Sequence, residues 1–462
     1  RSRDPSMLWV ALCLPRLPLE ARLRGRAPPE AADEPWAVVD NRSVLVCDGA
    51  AEALGVRPGS ALTAAWALAP HLRILQRDAA AEAGALEAVA TWACQFTAKV
   101  SLEPPQGVLL EVAGSLRLFG GAARLMARLR SGVADLGFEA LLAAGPTARA
   151  ALWLAQGGGE TLQALPIGAI DPGPETLALL RRIGVGTLGE LMRLPRAGVA
   201  ARFGQGLLGD LDRALGRAPE PRVFFQPPER FGMLLELPAP VMEAERVLFA
   251  ARRLLLQLEG FLAARQAGVR GFTLRLSHRD GQPTLIEIGS ATPHRDTGHW
   301  QRLLRERLGA TALKSPAEAI RLEAAGLTPL SGVAPGLFGD ARSEAEAWER
   351  LTERLQARLG GAVVHGLAMH AEHRPERAWR ASAGGTAAAD EVPPGPRPLW
   401  LLEPPRRLGE GDFVLLAGPE RIESGWWDGD DVARDYFIAA RGASLAWIYR
   451  AREGWFLHGL FA

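Results

Sequence analysis

Residues 180–191 read LRRIGVGTLGEL, and this stretch decides the fold of the middle of the chain. Its order apolar–Gly–apolar–Gly, at residues 183–186, separates two segments whose leucines have helical spacing. Such a turn between two short helices is typical of the helix-hairpin-helix motif. Its glycines allow a phosphate to approach closely, and the second helix begins with backbone N–H groups that face it. The alternative is a plain helical turn with two glycines. Residues 166–220 are predicted to form a group of short helices.

The segment after this hairpin, residues 229–325, alternates between strand and helix patterns and predicts a small α+β domain. The predicted elements are, in order, a strand at 233–237, a helix at 245–262, strands at 272–276 and 286–288, a helix at 300–308 and a strand at 320–324. The two middle strands flank Asp280-Gly281, a dipeptide typical of hairpin turns. The order is therefore β-α-β-β-α-β.

The segment before the hairpin begins with the apolar run 8–14, which predicts a buried strand. Residues 44–47 and 108–112 are further short apolar runs. Residues 124–136 carry leucine and valine on one helical face and predict an amphipathic helix. An alanine-rich insert between residues 28 and 70 is predicted to form a separate lobe.

Length and composition exclude several classes of protein. Of the 462 residues, 48% are hydrophobic and 23% are charged, which is the balance of an ordinary globular protein with two to four domains. No apolar run approaches the roughly 20 residues that span a bilayer. The three cysteines, Cys13, Cys47 and Cys94, are too few and too scattered for a disulfide framework or a zinc cluster. They fit a reducing cytoplasm.

The balance of charge gives no overall signal for a nucleic-acid partner, because the net charge is +1. The type of charge is more informative. Only Lys99 and Lys314 are lysines, so nearly all of the 53 basic residues are arginines. The guanidinium group is the better one for bidentate contacts with phosphate.

Beyond residue 330 the sequence changes character. A Gly/Pro-rich stretch at 331–340 precedes an amphipathic helix at 344–359, and a second linker at 383–398 is rich in Ala, Gly and Pro. The tail, residues 399–462, is rich in aromatic residues and is predicted to be a short-stranded β module. The aromatic side chains are predicted to fill its core, with stacking on bases as the alternative.

Two clusters of potential metal ligands lie in this last part of the chain. The acidic cluster comprises Asp428, Asp430, Asp431 and Asp435. We expect these residues to be turn and surface residues that pair with nearby arginines. The histidines are His365, His370 and His373, and their spacing fits no metal template.

The order of these segments resembles that of the Y-family translesion DNA polymerases, which have a palm, inserted fingers, a helix-hairpin-helix thumb and a little finger. Seven motifs carry a resemblance to the ImuB branch: LPRLPLE at 14–20, LFGG at 118–121, TLGEL at 187–191, LPR at 194–196, RFG at 202–204, HRPERAW at 373–379 and GPERIESGWW at 418–427. Together they extend over nearly the whole chain.

The resemblance implies a fold class and its boundaries. The class is α+β multidomain, with a Y-family polymerase-like right hand and a C-terminal β-rich module. The implied segments are a palm-like part at 7–27 and 71–165, a fingers-like part at 28–70, the thumb at 166–227, the little finger at 228–330, a linker with a clamp-like motif and a helix at 331–398, and the C-terminal module at 399–462.

Polymerase chemistry requires two metal ions that are held by carboxylates of the palm. In active members of the family, two Asp on the first strand and a later Asp-Glu pair supply them. In this sequence the matching positions are Ala11 and Cys13 on the first strand, and Gln106 and Gly107 later. None of the four is a carboxylate, so hard oxygen ligands for divalent ions are missing there. The resemblance therefore implies no catalytic residue, no bound metal and no cofactor.

The residues that hold the triphosphate in active members are replaced as well. Their Tyr and Arg match Gly49 and Glu52, and their phosphate-binding Lys matches Gln156. A carboxylate that faces a triphosphate lowers its affinity. The alternative is an active polymerase that uses displaced carboxylates, with Glu20, Asp40 and Glu111 as candidates that would have to converge on one site.

DNA binding is predicted to be independent of sequence and to involve the thumb and the little finger. Gly184, Gly186 and Thr187 are expected to offer backbone N–H groups to phosphate, with Arg181 and Arg182 as nearby cations.

A degenerate clamp-binding peptide is predicted within residues 331–340. Such peptides of this family usually read Gln-x-x-Leu-Phe, and here Leu337 and Phe338 are present whereas Ala334 occupies the Gln position. Burial of each apolar side chain contributes roughly 1.5–3 kcal/mol, which exceeds the about 0.5–1.5 kcal/mol of the missing hydrogen bond. The alternative is that this pair packs onto the little finger.

These observations predict a non-catalytic adaptor in mutagenic lesion bypass that acts in the SOS response to DNA damage. The resemblance implies four partners: DNA, the sliding clamp, an ImuA-type RecA-like accessory protein and an error-prone C-family DNA polymerase. It also implies a cytoplasmic protein that joins the nucleoid after damage, with no membrane partner. A DNA-binding repair factor that acts without a polymerase is a further alternative, which fits the hairpin but not the clamp-like peptide.

Overall fold

The computed structural model describes residues 7–26, 34–279, 281–330, 363–382, 396–409, 413–442 and 444–461, with positions 348, 351–352, 354–356 and 358–359 between them. The chain forms two compact units, residues 1–358 and residues 359–462. Along the described residues, no helix combines the length and the apolar composition that a membrane crossing requires.

The first third of the chain forms seven strands and six helices within the described residues. They are β1 Trp9–Cys13, α1 Leu17–Leu23, β2 Trp36–Asp40, β3 Ser43–Cys47, α2 Gly49–Ala53, α3 Leu62–Leu68, β4 Arg73–Gln76, α4 Ala79–Ala93, β5 Val100–Glu103, β6 Gly107–Glu111, α5 Ala122–Asp135, β7 Leu141–Gly145 and α6 Ala148–Gly157. The seven strands form two sheets, a central sheet in the order β5-β6-β1-β7 and a small sheet in the order β3-β2-β4.

Strand β1 is an inner strand of the central sheet and pairs antiparallel with β6 and with β7. All five of its residues are buried. Because successive side chains of a strand face opposite sides, Val10 and Leu12 pack with α4 and α5, whereas Ala11 and Cys13 pack with α6. The strand is therefore enclosed on both faces, which confirms the prediction of a buried strand.

Two strands of the small sheet, β2 and β3, belong to the alanine-rich insert, and the separate lobe that the insert predicts stays a prediction. The third strand, β4, lies beyond residue 70, at which the predicted fingers-like segment ends. Strand β4 pairs parallel with β2. A parallel pair of strands needs a long connection, and α2 and α3 lie in the connection to β4. The sequence before β4 therefore shows no hairpin turn that would predict its pairing in this sheet.

Residues 166–220 form the predicted group of short helices. They are α7 Pro174–Arg182, α8 Leu188–Arg193, α9 Arg196–Phe203 and α10 Gln205–Ala214. Their apolar faces meet in one cluster, in which Leu180 and Leu188 are fully buried. Gly184 lies in the left-handed region at φ +81°, which explains why the turn between α7 and α8 carries glycine.

The next segment confirms the predicted β-α-β-β-α-β order. It comprises β8 Phe231–Val241, α11 Ala244–Ala263, β9 Ala267–His278, β10 Thr284–His294, α12 Thr297–Gly309, β11 Ala317–Ala324 and a short β12 Thr328–Pro329. The sheet order is β10-β9-β11-β8, and both helices cover one face around the fully buried Trp300. Asp280 of the predicted hairpin turn lies outside the described residues, and Gly281 has the left-handed φ of +80° that the turn requires.

The second unit is built of strands. They are β13 Gly366–Met369, β14 Trp379–Ser382, β15 Trp400–Leu408, β16 Val414–Ser424, β17 Val432–Arg441, β18 Ser444–Ala451 and β19 Gly454–Leu460. Strands β13 and β14 form a hairpin, and the others form an antiparallel sheet in the order β15-β19-β18-β17-β16. The strands of this sheet have 7 to 11 residues, so the prediction of short strands is wrong.

Only some of the aromatic residues fill the core of this module. Tyr436 and Trp447 are buried, with ring centroids 4.1 Å apart. Trp400, Trp426 and Trp427 are exposed. The prediction of an aromatic core is therefore correct for the middle of the sheet and wrong for these three tryptophans.

The acidic cluster of the second unit pairs with arginines, as predicted. Arg374, which is 1% exposed, donates to Glu372 at 2.8 Å and to Asp428 at 2.6 Å. These hydrogen bonds hold the pKa of both carboxyl groups down to about 2. Asp435 accepts from Arg421 at 3.0 Å. The carboxylates thus hold the turn after β16 in place.

One indole ring joins three helices of the first unit. Trp92 of α4 packs against Gly132 of α5 and Gly260 of α11. A Cβ atom on Gly132 would overlap the indole ring, and one on Gly260 would lie 2.8 Å from its Cδ1. Both glycines are therefore required by close packing rather than by backbone conformation.

We expect Gly132→Ala to lower the free energy of unfolding by about 1–3 kcal/mol, because the added methyl group overpacks the indole site. Gly84→Ala is the matched control, since Gly84 lies in α4 with nothing within 4 Å of an added Cβ. That substitution should stabilise the chain by up to about 1 kcal/mol through helix propensity. Urea denaturation measures both, and equal effects would contradict the packing of Trp92.

Candidate functional site

The four positions predicted to match the metal ligands of active polymerases lie close together, on or directly beside the paired strands β1 and β6 of the central sheet. Gly107 is directly opposite Cys13, and Ala11 is two residues further along β1. The Leu14 N–H donates to the carbonyl oxygen of Gln106 at 2.9 Å. Because opposed residues of an antiparallel pair share a face, Ala11, Cys13 and Gly107 lie on the same side of the sheet.

That side of the sheet is closed by helix α6. Ala11 is 0% exposed and Cys13 is 2% exposed, and both pack in a cluster with Ala151 and Leu152 of α6. Burial raises the pKa of the Cys13 thiol to about 11, so the thiol is neutral at pH 7. An ionised carboxylate in the same contact would lose its hydration without gaining a partner.

The described part of the chain holds no group of three or more His, Cys, Asp or Glu side chains that could bind a metal ion. Of the three carboxylates that were candidates for displaced metal ligands, Glu111 and Asp40 each pair with a basic side chain. Glu111 lies at the opposite end of β6 and accepts from Lys99 Nζ at 3.0 Å. Asp40 lies at the end of β2 in the small sheet and accepts from Arg77 at 3.1 Å.

The third displaced carboxylate, Glu20, lies on α1. It accepts the backbone N–H of Glu139 at 2.9 Å, and burial raises its pKa to about 7. Glu20, Asp40 and Glu111 therefore belong to three different elements with three different partners. The structure does not bring these three carboxylates together, as an active polymerase with displaced ligands would require.

The positions that match the triphosphate-binding residues also lack a cation. Gly49 begins α2, and Gln156 is exposed on α6. Glu52 pairs with Arg16 at 3.2 Å, and Arg16 in turn pairs with Glu139 at 3.0 Å. The guanidinium of Arg16 is thus neutralised by two carboxylates, and that of Arg57 donates to the backbone carbonyl oxygen of Glu52 at 2.6 Å.

The amide groups of the helical hairpin donate to acceptors of the chain itself, and their predicted contact with phosphate stays a prediction. The Gly184 N–H donates to the carbonyl oxygen of Arg181 at 3.1 Å. The Gly186 and Thr187 N–H groups both donate to the carboxylate of Glu190, at 2.7 and 3.0 Å. A carboxylate of the chain itself therefore occupies the position predicted for a phosphate.

Glu190 belongs to a capping box, in which the Thr187 hydroxyl also accepts the Glu190 N–H at 3.3 Å. The hydrogen bonds from the two amides lower the pKa of Glu190. The Thr-x-x-Glu pattern at 187–190 is a sequence signature of this arrangement and would have revealed it. Arg181 and Arg182 remain exposed at the end of α7 and form no ion pair with the described residues.

The clamp-like pair Leu337 and Phe338, with Ala334 at the Gln position, lies outside the described residues. The predicted clamp contact therefore stays a prediction.

Comparison with known proteins assigns the class of this chain. Residues 21–156 match the model of the impB/mucB/samB family. The order of its sheets and helices is that of an α+β chain with a C-terminal β-rich module. The predicted fold class is confirmed.

The particular family follows from two relatives named Protein ImuB, from two strains of Caulobacter vibrioides. Each is 30% identical to this chain over 426 residues, which cover 82% of this chain and 93% of the relative. The chain belongs to the ImuB family.

Solved structures of DNA polymerases are similar over a smaller part. An insertion ternary complex of Dbh DNA polymerase matches with 13% identity and a TM-score of 0.40, over 70% of this chain and 100% of that one. DinB from Sulfolobus solfataricus matches with 15% identity and a TM-score of 0.39, over 69% of this chain and 98% of that one.

We expect Ala11→Asp to lower the free energy of unfolding by about 3 kcal/mol or more, the scale of an unpaired buried charge. Gln106→Glu is the control, because this position is only half-buried at the turn and should shift stability by less than about 1 kcal/mol. Chemical denaturation gives both values. An Ala11→Asp protein that keeps its stability and binds Mg²⁺ in calorimetry would contradict the closed face.

Proposed function

We propose that this chain is a non-catalytic adaptor of a mutagenic translesion synthesis complex in the DNA damage response. The observation that carries the proposal is the contact of Ala11 and Cys13 with helix α6. Where an active polymerase holds metal ions, this chain has apolar packing. Its membership of the ImuB family agrees with such a role.

The second candidate is an active polymerase with displaced carboxylates. It requires Glu20, Asp40 and Glu111 to converge, whereas each is engaged on a different element. We therefore favour the adaptor, in which another protein of the complex performs synthesis.

The purified chain should not extend a primer on a DNA template, with Mg²⁺ or with Mn²⁺, above a mock preparation. The physical reason is that two divalent ions need carboxylate ligands near each other. A gel-based primer-extension assay measures this. Extension that disappears in a Glu111→Ala protein would overturn the adaptor and support the displaced-carboxylate polymerase.

DNA is the first proposed partner, with contacts on the thumb and the little finger that do not depend on sequence. On the thumb, Arg181 and Arg182 are exposed and form no ion pair with the described residues. On the open face of the little-finger sheet, Arg275 lies directly opposite Arg321. Like charges at opposed positions destabilise a sheet, so a phosphate between them is favourable. Arg321 also pairs with Glu323 at 2.6 Å, which leaves Arg275 as the freer cation.

The remaining proposed partners are the sliding clamp, an ImuA-type RecA-like accessory protein and an error-prone C-family DNA polymerase. With them we propose a cytoplasmic location and association with the nucleoid after damage. The support for this set is the ImuB family membership together with the clamp-like residues Leu337 and Phe338.

Leu337→Ala combined with Phe338→Ala should abolish pull-down by the sliding clamp without a change in melting temperature, because the apolar pair supplies most of the binding energy. Ala334→Gln should strengthen the pull-down, since it restores a hydrogen bond of about 0.5–1.5 kcal/mol. Unchanged pull-down by the double variant would place the clamp contact elsewhere. A lowered melting temperature would indicate that the pair packs on the little finger.

A further inference from the structure

Three arginines at the start of α5 are exposed and have no acidic partner among the described residues. They are Arg117 in the preceding turn and Arg124 and Arg128 in the helix. Within the described part of the chain, none of their guanidinium groups takes part in a hydrogen bond or ion pair. We name these three residues the α5 patch.

The chain as a whole is nearly balanced in charge, because its 53 basic residues face 52 acidic ones. Many arginines are neutralised by a neighbour, as Arg374 is by Asp428. Helix α5 itself carries one acidic residue, Asp135 at its end, and this residue pairs with Arg252 at 3.1 Å. Near the α5 patch, therefore, the helix offers no carboxylate.

The turn before α5 holds two of these guanidinium groups. Gly120 has φ +72°, and a Cβ there would lie 3.0 Å from the Cδ and Nη1 atoms of Arg124. The side chain of Arg124 thus lies over the turn because Gly120 has none. The guanidinium of Arg128 lies 5.6 Å from the ring centre of Phe119, a cation–π contact with the same turn. Both cations are therefore held over one short segment.

The residues of α5 beside the arginines have small side chains. The exposed residues of α5 beside them are Ala122, Ala123 and Ala127, and the large apolar side chain exposed in this turn is Leu118, at 81%. The backbone N–H groups of the first turn of α5 have no acceptor among the described residues, which adds to the positive potential. A cationic surface of small side chains suits a phosphate backbone better than the side chains of a peptide.

The α5 patch is separate from the positions discussed above. The buried face of α5, including Leu125 and Leu129, packs on the side of the central sheet that carries Val10 and Leu12. Ala11 and Cys13 face the other side, beneath α6. A ligand on the α5 patch therefore lies across the sheet from the former metal positions.

We infer that the α5 patch is a second binding surface for the sugar–phosphate backbone of nucleic acid. It rests on the proposed function, in which the chain binds DNA through the thumb and the little finger. Guanidinium groups bind phosphate through charge-assisted hydrogen bonds, and each such pairing releases counterions. The patch would hold a strand on the helical side of the palm-like domain.

The test is DNA binding by the full chain, measured by fluorescence anisotropy with a labelled duplex and a labelled single strand over a range of salt concentrations. Replacing Arg117, Arg124 and Arg128 by Gln should weaken binding at least about fivefold at low salt. The slope of log affinity against log salt should fall by about one for each phosphate that the variant no longer binds. The melting temperature should change little, because none of the three side chains forms an ion pair among the described residues and the cation–π contact of Arg128 with Phe119 is made by an exposed side chain.

Arg130→Gln is the matched control for Arg128→Gln. Both remove one exposed arginine from α5, but Arg130 lies about 160° around the helix from Arg128. Only Arg128→Gln should lower affinity and slope. Equal effects of the two would mean that net charge alone matters, and would overturn the inference.

A variant with Arg181→Gln and Arg182→Gln separates this inference from the proposed function. If that variant loses affinity while the triple variant at the α5 patch binds as the unaltered chain does, the inference fails and the thumb contact stands. If the triple variant keeps DNA binding but no longer binds polyglutamate, the patch recognises an acidic protein and the inference also fails. If the unaltered chain binds neither labelled DNA, both the inference and the proposed DNA contact are overturned.

Discussion

Apolar contact on both faces of β1 is the constraint on which the rest of the first unit depends. The strand lies between β6 and β7, and helices cover it from each side. Burial of such residues contributes about 25 cal/mol for each Å² of apolar surface removed from water, and a charge in the same place would cost several kcal/mol. A side chain with an unpaired charge is therefore strongly unfavourable at these buried positions of β1.

Charges of the chain itself also fill places that a ligand would otherwise use. Glu190 accepts hydrogen bonds from the hairpin amides, and Arg16 pairs with Glu52. Arg374 donates to Asp428 in the turn after β16. Each arrangement stabilises local structure and reduces the attraction for an external ion. In a chain with nearly equal numbers of acids and bases, the surfaces that keep unpaired charge are therefore the ones that most favour a charged partner.

Sequence patterns predict the elements that fold by local rules. The β-α-β-β-α-β domain has one covered face, so its strands alternate and its helices are amphipathic, and both periods are visible in the sequence. Strand β4 escapes such patterns because its parallel partner, β2, lies far away in the chain. The glycines of the hairpin do not reveal Glu190 as the partner of the amides, since only the capping-box spacing does. The α5 patch is also hidden, because a sequence rich in arginine does not show which guanidinium groups have no carboxylate beside them.

The position of β1 also has a consequence for the order in which the chain folds. Its partners, β6 and β7, begin only at Gly107 and Leu141. The strands of the small sheet lie between β1 and β6 in the chain. During synthesis from the N-terminus, an apolar strand therefore emerges long before either neighbour exists. Pairings of such high sequence separation form slowly, whereas the helical hairpin and the pair of β2 with β3 can form from local contacts. The strand that holds the central sheet together is thus made before both of its partners and can take its place only after both have been made.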